Sequence, residues 1–252
     1  MVLSENVKVP RAAAEPAVKP QRNFIETGLV AIDVFVGGVE QTETDRFIEN
    51  LLQAYVSRHG TEAIAAAKEQ FFLNCGKIFA EDDNYHQRIY YFLNHFIFER
   101  GLSPTVRATP FLEYLETAEG STTPVDGFTH SLFKITKIKS DHLFLKDLLS
   151  EKKIRVDKQI GQVFEGIEKN DVFQGFLLHQ AAQTVLSRGL IFHPARSHKI
   201  IANLLKQERK AQKFGKDQLL RGLAKTQLKH TRLKHVDPKL VYLENPMPVV
   251  PL

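Results

Sequence analysis

Residues 120–147 read GSTTPVDGFTHSLFKITKIKSDHLFLKD, and the change of pattern inside this stretch decides the fold class. Gly120 to Gly127 is polar and rich in helix breakers, which marks a boundary between two unlike regions. Beyond it Leu132, Lys134 and Thr136 alternate with Phe133, Ile135 and Lys137, in a mixed register. His142 to Asp147 follows a Ser140-Asp141 turn, and Lys153 to Asp157, Val172 to His179 and Thr184 to Phe192 are further short β-prone runs. Five short strands predict a small antiparallel β-barrel-like module over 128–194, because a closed sheet hides its edges with few strands. The alternative is an open sheet of three to five strands lying on the preceding helices.

Upstream the period is helical. Thr42, or Thr44 in its place, caps a helix in which Phe47, Ile48, Leu51, Leu52, Tyr55 and Val56 share one face up to Gly60. Thr61 opens a second helix that stops at Gly76, and Asp82 or Asp83 caps a third that runs to about Arg100. Ser103-Pro104 and Thr109-Pro110 are cap-plus-first-turn signals, the second starting a short helix through Phe111, Leu112 and Leu115. Residues 24–119 therefore read as a helical domain, with Phe24 to Val39 a strand or packed extended segment at its start. Residues 1–23, rich in Ala, Pro, Lys and Arg, read as a flexible lead-in.

Downstream of His193-Pro194 the helical period returns. Ile200, Ile201, Leu204 and Leu205 form one apolar face; Leu219, Leu220, Leu223 and Leu228 form another after a break at Phe214-Gly215. Pro238 is expected to stop the second helix, leaving an extended end with Pro246, Pro248 and Pro251. Residues 195–252 are thus a helical arm. The whole is α+β.

The arm is also where the charge lies. Residues 195–239 hold thirteen Lys or Arg against three carboxylates, a net of +10. The rest of the 252-residue chain has 21 basic and 26 acidic residues, so its net of −5 is masked in the overall +5. Such asymmetry speaks of partners rather than fold. The expected function is a non-enzymatic binding or regulatory protein whose arm contacts a polyanion, nucleic acid or a nucleoprotein foremost. The residues expected to carry it are Lys206, Arg209, Lys210, Lys213, Lys216, Arg221, Lys225, Lys229 and Arg232. Phe133, Phe144, Phe164, Phe173, Phe176 and Phe192 with Lys134, Lys137 and Lys139 in the β segment fit the same partner, although core is the ordinary use of each phenylalanine.

The alternative is a protein–protein adaptor or homo-oligomer whose arm packs on its own acidic body. Its surface would be the β module or the aromatic helix 84–100, through Tyr85, Tyr90, Tyr91 and Phe98. Catalytic chemistry has little to stand on. Asp82, Asp83 and His86 share one helical turn and could hold a divalent metal, but an acidic first turn is what a helix start prefers. His193, His198, His230 and His235 have no zinc spacing, and the single Cys75 excludes an internal disulfide. Phosphate loops, dinucleotide fingerprints, nucleophile elbows and paired-histidine zinc motifs do not occur. No cofactor, metal or catalytic residue is expected. Residues 1–10 lack an export signal and no apolar run spans a bilayer, so the expected location is cytoplasmic.

Overall fold

Thr42 settles how the first helix begins. In the computed structural model its hydroxyl accepts from the Asp45 N–H at 3.1 Å while the Asp45 carboxylate accepts from the Thr42 N–H at 2.9 Å. This reciprocal cap opens α1, Glu43–His59. Thr42→Ala is expected to cost about 1 kcal/mol in chemical denaturation; an unchanged midpoint would show the cap contributes nothing. The structure describes residues 42–99, 108–117, 124–160, 162, 166–211 and 215–244. The lead-in 1–23, Phe24 to Val39, Ser103-Pro104, Gly120 to Thr123, Lys213, Phe214 and the prolines beyond 244 lie outside these residues.

Helix α2, Glu62–Cys75, follows Thr61 without a side-chain cap, and α3 spans Tyr85–Asn94. The third helix differs from expectation at both ends. Asn84 precedes it with no side-chain cap, because Asp82 instead accepts from the Phe79 N–H at 2.8 Å and closes a turn. At its far end the backbone widens into a π-turn over His95–Glu99, a rare geometry that re-aims side chains. Helix α4, Pro110–Thr117, starts as the Thr109-Pro110 signal predicts, with the Thr109 hydroxyl accepting from the Leu112 N–H.

The sheet has six strands: β1 Gly127–Ile138, β2 His142–Asp147, β3 Lys153–Asp157, β4 Val172–Gln180, β5 Gln183–Leu186 and β6 Ile191–His193. Their order is β1-β2-β3-β5-β4-β6, with β1 also pairing with β4. All pairs are antiparallel except one parallel bridge, Asp157 to Val185 between β3 and β5. The single run expected over Thr184 to Phe192 is two strands, because Gly189 at φ 85° turns the chain between them. The mixed register of β1 also has a cause. A bulge between Ile135 and Lys137 shifts the pairing, and Leu132 and Phe133 are both fully buried because opposite faces of β1 are covered by different clusters.

Three apolar clusters hold the chain together. One joins α1, α2, α3, the π-turn and α4 to Phe176, Leu178, Val185 and Ile191 of the sheet and to Ala224 and Leu228 of the arm. The second is made by strand residues alone: Phe133, Ile135, Leu143, Leu145, Val156, Phe173, Leu177 and Leu186. In the third, Leu132 and Val172 meet the arm helices α5, His198–Ala211, and α6, Lys216–Arg232. The apolar core therefore runs across the sequence boundaries between helical region, sheet and arm.

Pro238 does not stop α6, which ends at Arg232. It opens a further helix, α7, Pro238–Glu244. Asp237 caps it by accepting from the Lys239 N–H at 2.9 Å, and proline suits a first helical position because its missing N–H would be unbonded there anyway. Val241 and Tyr242 are buried, so this part of the expected extended end is folded onto the arm. Among the described residues no helix is long and apolar enough to cross a membrane.

Candidate functional site

The arm's two long helices use their charges differently. On α6, Lys216, Arg221, Lys229 and Arg232 lie beside carboxylates. Lys216 lies 3.7 Å from Glu99, Arg221 3.5 Å from Asp217 and Lys229 3.9 Å from Glu244. Arg232 is held most firmly: it donates to both Asp82 oxygens, at 2.9 and 2.7 Å, and to the Lys77 carbonyl, and lies over the Phe79 ring. That hydrogen bond holds the Asp82 carboxyl below the usual carboxylate range. Beside it, Lys234 pairs with Asp83. The Asp82–Asp83 pair therefore serves arm cations. Among the described residues no group of three His, Cys, Asp or Glu could hold a metal ion.

On α5 the arrangement is open. Ile201 and Leu205 are buried, while Lys199, Lys206, Arg209 and Lys210 are exposed. Lys199, Lys206 and Lys210, at i, i+7 and i+11, share one face of the helix. Among the described residues none of these three lies within ion-pair distance of a carboxylate. Arg209 turns to the β2–β3 turn, donating to Glu151 at 2.7 Å and to the Leu148 carbonyl at 2.6 Å. Of the other residues singled out from the sequence, Lys225 is half-buried and Lys213 lies outside the described residues.

Strand register brings a second set of cations to the same turn. Lys134 is directly opposite Lys146, and Lys146 is directly opposite Lys153, so three lysines line up across β1, β2 and β3. The next row pairs Lys137 with Phe144 and Phe144 with Arg155. The Lys137 ammonium lies 5.9 Å from the Phe144 ring centre, and the His142 ring meets that ring edge-on at 5.0 Å. Glu151 joins the two surfaces, 3.9 Å from Lys146 and 2.7 Å from Arg209. The turn carrying it is fixed by buried Asp147, which accepts from the Ser131 and Ser150 hydroxyls and the Leu149 N–H.

The aromatic helix faces inward. Tyr91 and Phe98 are 1% and 2% exposed, whereas Tyr85 and Tyr90 are half-buried. Tyr91 belongs to a buried hydrogen-bonded chain with no signature in the sequence. His130 contacts Glu99 at 2.7 Å through Nδ1 and the Tyr91 hydroxyl at 2.8 Å through Nε2. Gln174 donates to the Tyr91 oxygen at 2.8 Å and to the Leu220 carbonyl at 3.1 Å. His193 contacts Gln174 at 3.3 Å through Nε2 and the Tyr242 hydroxyl at 2.8 Å through Nδ1. One assignment satisfies every link: His130 carries its proton on Nδ1, His193 carries its own on Nε2, and both tyrosines donate to imidazole. Burial pushes Glu99 up, but the hydrogen bond from His130 and the electrostatic pull of nearby groups, Lys216 among them, outweigh it and lower its carboxyl. Burial first, then His198 and Arg88, lowers His193 to about 3. Cys75, fully buried, has its thiol pushed up to about 12, which suits packing rather than nucleophilic chemistry. Arg88 donates to the Ala224 carbonyl and to Gln227, tying α3 to α6, and burial lowers it to about 10.

A cleft of about 910 Å³ lies between α1, α4 and the end of β3. Its walls combine Phe47, Tyr114 and Ile160 with Glu43, Arg46 and Lys158. Comparison with protein-family models, curated proteins and solved structures gives no match to this chain.

Proposed function

We propose that the chain is a non-enzymatic binding protein whose basic C-terminal arm contacts a polyanion, with nucleic acid the favoured ligand. The observation that carries this reading is the exposed α5 face. Lys199, Lys206 and Lys210 stand together over a buried Ile201–Leu205 stripe and make no ion pair among the described residues. Solvated cations aligned in this way bind phosphates by releasing counterions. The strand pairings favour a barrel-like reading of the sheet, since β1 pairs with both β2 and β4 while β3 meets β5 at Asp157 and Val185. Small barrels commonly present such ligands to one face.

For α6 the adaptor reading has better support. Lys216 and Arg232 meet Glu99 and Asp82 of the body, which is the pattern of an arm packed on an acidic body, while Arg221 and Lys229 pair within the arm with Asp217 and Glu244. The polyanion site therefore centres on α5, and reversal of α6 charges would disturb packing as well as binding.

The test is fluorescence anisotropy of a labelled RNA 20-mer and of heparin across a salt series. Binding is expected to weaken steeply with salt. The triple change Lys199→Glu, Lys206→Glu, Lys210→Glu should lower affinity at least tenfold and flatten the salt slope by about two to three. Binding that ignores salt, or survives the three reversals in a folded variant, would overturn the proposal.

A further inference from the structure

We infer that the outer face of β1, β2 and β3 is a platform for single-stranded nucleic acid, on which one base stacks against Phe144. This rests on the polyanion reading above and adds a second surface to it. Three features of the face carry the inference.

The first is the lysine row. Directly opposed like charges destabilise a strand pair, yet Lys134, Lys146 and Lys153 oppose one another across three strands. Glu151 relieves only the Lys146 position, and it is shared with Arg209. A row of this kind gains most from a ligand that brings its own negative charges at close spacing.

The second is the placement of an aromatic ring between cations. Phe144 stands in the adjacent row between Lys137 and Arg155, on the same face as Lys146 two residues on. It is half-buried, with His142 against its edge and Lys137 beside it. Backbone-tracking cations around an aromatic ring make the general form of a single-strand site, because every unpaired base offers a flat face to stack. A duplex hides those faces inside its own stack, so it would use the lysines and leave the ring idle.

The third is continuity with α5. Helices cover the outer face over His130, Leu132 and Gln174, through Tyr91 and Leu220. Beyond that cover the lysine row begins. Glu151 stands between the row and Arg209, so a strand leaving the sheet passes onto the α5 cations. Glu151 is a carboxylate that such a strand must displace, and Asp157, which holds Arg155 at 2.8 Å, is another.

The experiment uses the full chain with labelled dT12, the matching duplex and heparin at 0.15 M salt, each variant being checked for an unchanged melting temperature. The wild type should bind dT12 at least tenfold more tightly than the duplex. Phe144→Leu should weaken dT12 fivefold or more while leaving heparin binding and the salt slope unchanged. The triple change Lys134→Gln, Lys146→Gln, Lys153→Gln should weaken every polyanion, and Glu151→Gln should tighten them. A 5-bromouracil strand should photocrosslink to peptides within residues 142–155. Equal affinity for duplex and single strand, a silent Phe144→Leu, or crosslinks confined to α5 would overturn this inference and leave the polyanion reading standing. Failure to bind dT12, duplex or heparin at all would overturn both. Should Phe144→Leu not fold, the crosslink map decides the matter alone.

Discussion

Gly189→Ala is expected to destabilise the chain by more than about 3 kcal/mol, a large fraction of the roughly 5–15 kcal/mol that holds a typical domain folded. Two costs coincide at this residue. Its φ of 85° is a conformation that L side chains rarely adopt, worth on the order of 1 kcal/mol of strain. In addition, a Cβ placed there would lie 2.3 Å from the Tyr91 nitrogen and 2.6 Å from the Tyr90 carbonyl carbon. Those are backbone atoms in the middle of α3, and a helix cannot yield there as a side chain would. Relief requires α3 to move off the sheet, which breaks the contacts of Tyr91 with His130 and Gln174. Two other glycines separate the contributions. Gly60 has a φ of 75° and open space around it, so Gly60→Ala reports backbone strain alone. Gly175→Ala meets first the flexible end of Leu190, at 2.7 Å, and reports a side-chain clash that can relax. Urea denaturation should rank the losses Gly189 far above the other two. A Gly189→Ala midpoint no lower than that of Gly60→Ala would show that α3 and the β5–β6 turn are not in close contact.

What the sequence reveals and what it conceals follow a physical line. Local chemistry is legible: Thr42 with Asp45, Thr109-Pro110 and the glycine stops each depend on residues within one turn of each other. Asp237-Pro238 is the same kind of signal: the aspartate before the proline makes it a helix start rather than a stop. The strands are legible as β-prone runs, but their register is not. Lys134, Lys146 and Lys153 are separated by intervals of twelve and seven residues, and only pairing across two hairpins shows that they form one row. The split at Gly189 is hidden for a related reason: the need for glycine comes from α3, almost a hundred residues upstream. The arm's amphipathic helices and its charge are plain in the sequence. The division of labour between them is not, because it depends on which carboxylates the fold delivers: Glu99, Asp82 and Asp83 reach α6 and its end, while on α5 Arg209 meets Glu151. The buried chain from Glu99 to Tyr242 is wholly tertiary, drawing its members from the π-turn, α3, β1, β4, β6 and α7.

That chain sets the second large effect, which is acid sensitivity above the carboxylate range. In the folded chain His193 stays neutral down to about pH 3, whereas its ordinary value is 6.5. Between those limits the unfolded chain binds a proton that the folded chain refuses, so stability rises with pH and is lost as pH falls below 6.5. Each unit costs about 1.4 kcal/mol from this residue, or roughly 2–3 kcal/mol by pH 4.5. The interval from 6.5 ends at the ordinary value of Glu99, 4.5, and above that of Asp82, 3.8, and both carboxyls are lowered further by His130 and Arg232, so their loss begins only at its acid end. Their stabilisation is present above their unfolded values and is lost only at lower pH. His193→Gln removes the imidazole while keeping a donor for the Gln174 oxygen and an acceptor for the Tyr242 hydroxyl. The variant is expected to be somewhat less stable than wild type at pH 7 and to close the gap, or pass it, by pH 4.5. Urea denaturation at half-unit steps of pH supplies both curves, and their difference isolates His193 from the other nine histidines of the chain. Parallel curves over this interval, or an NMR titration of the folded His193 ring near 6.5, would show that the ring is not held neutral by its surroundings. Because protonation adds a donor on Nδ1, where Tyr242 donates at present, α7 should be the first element to lose amide-exchange protection as the pH is lowered.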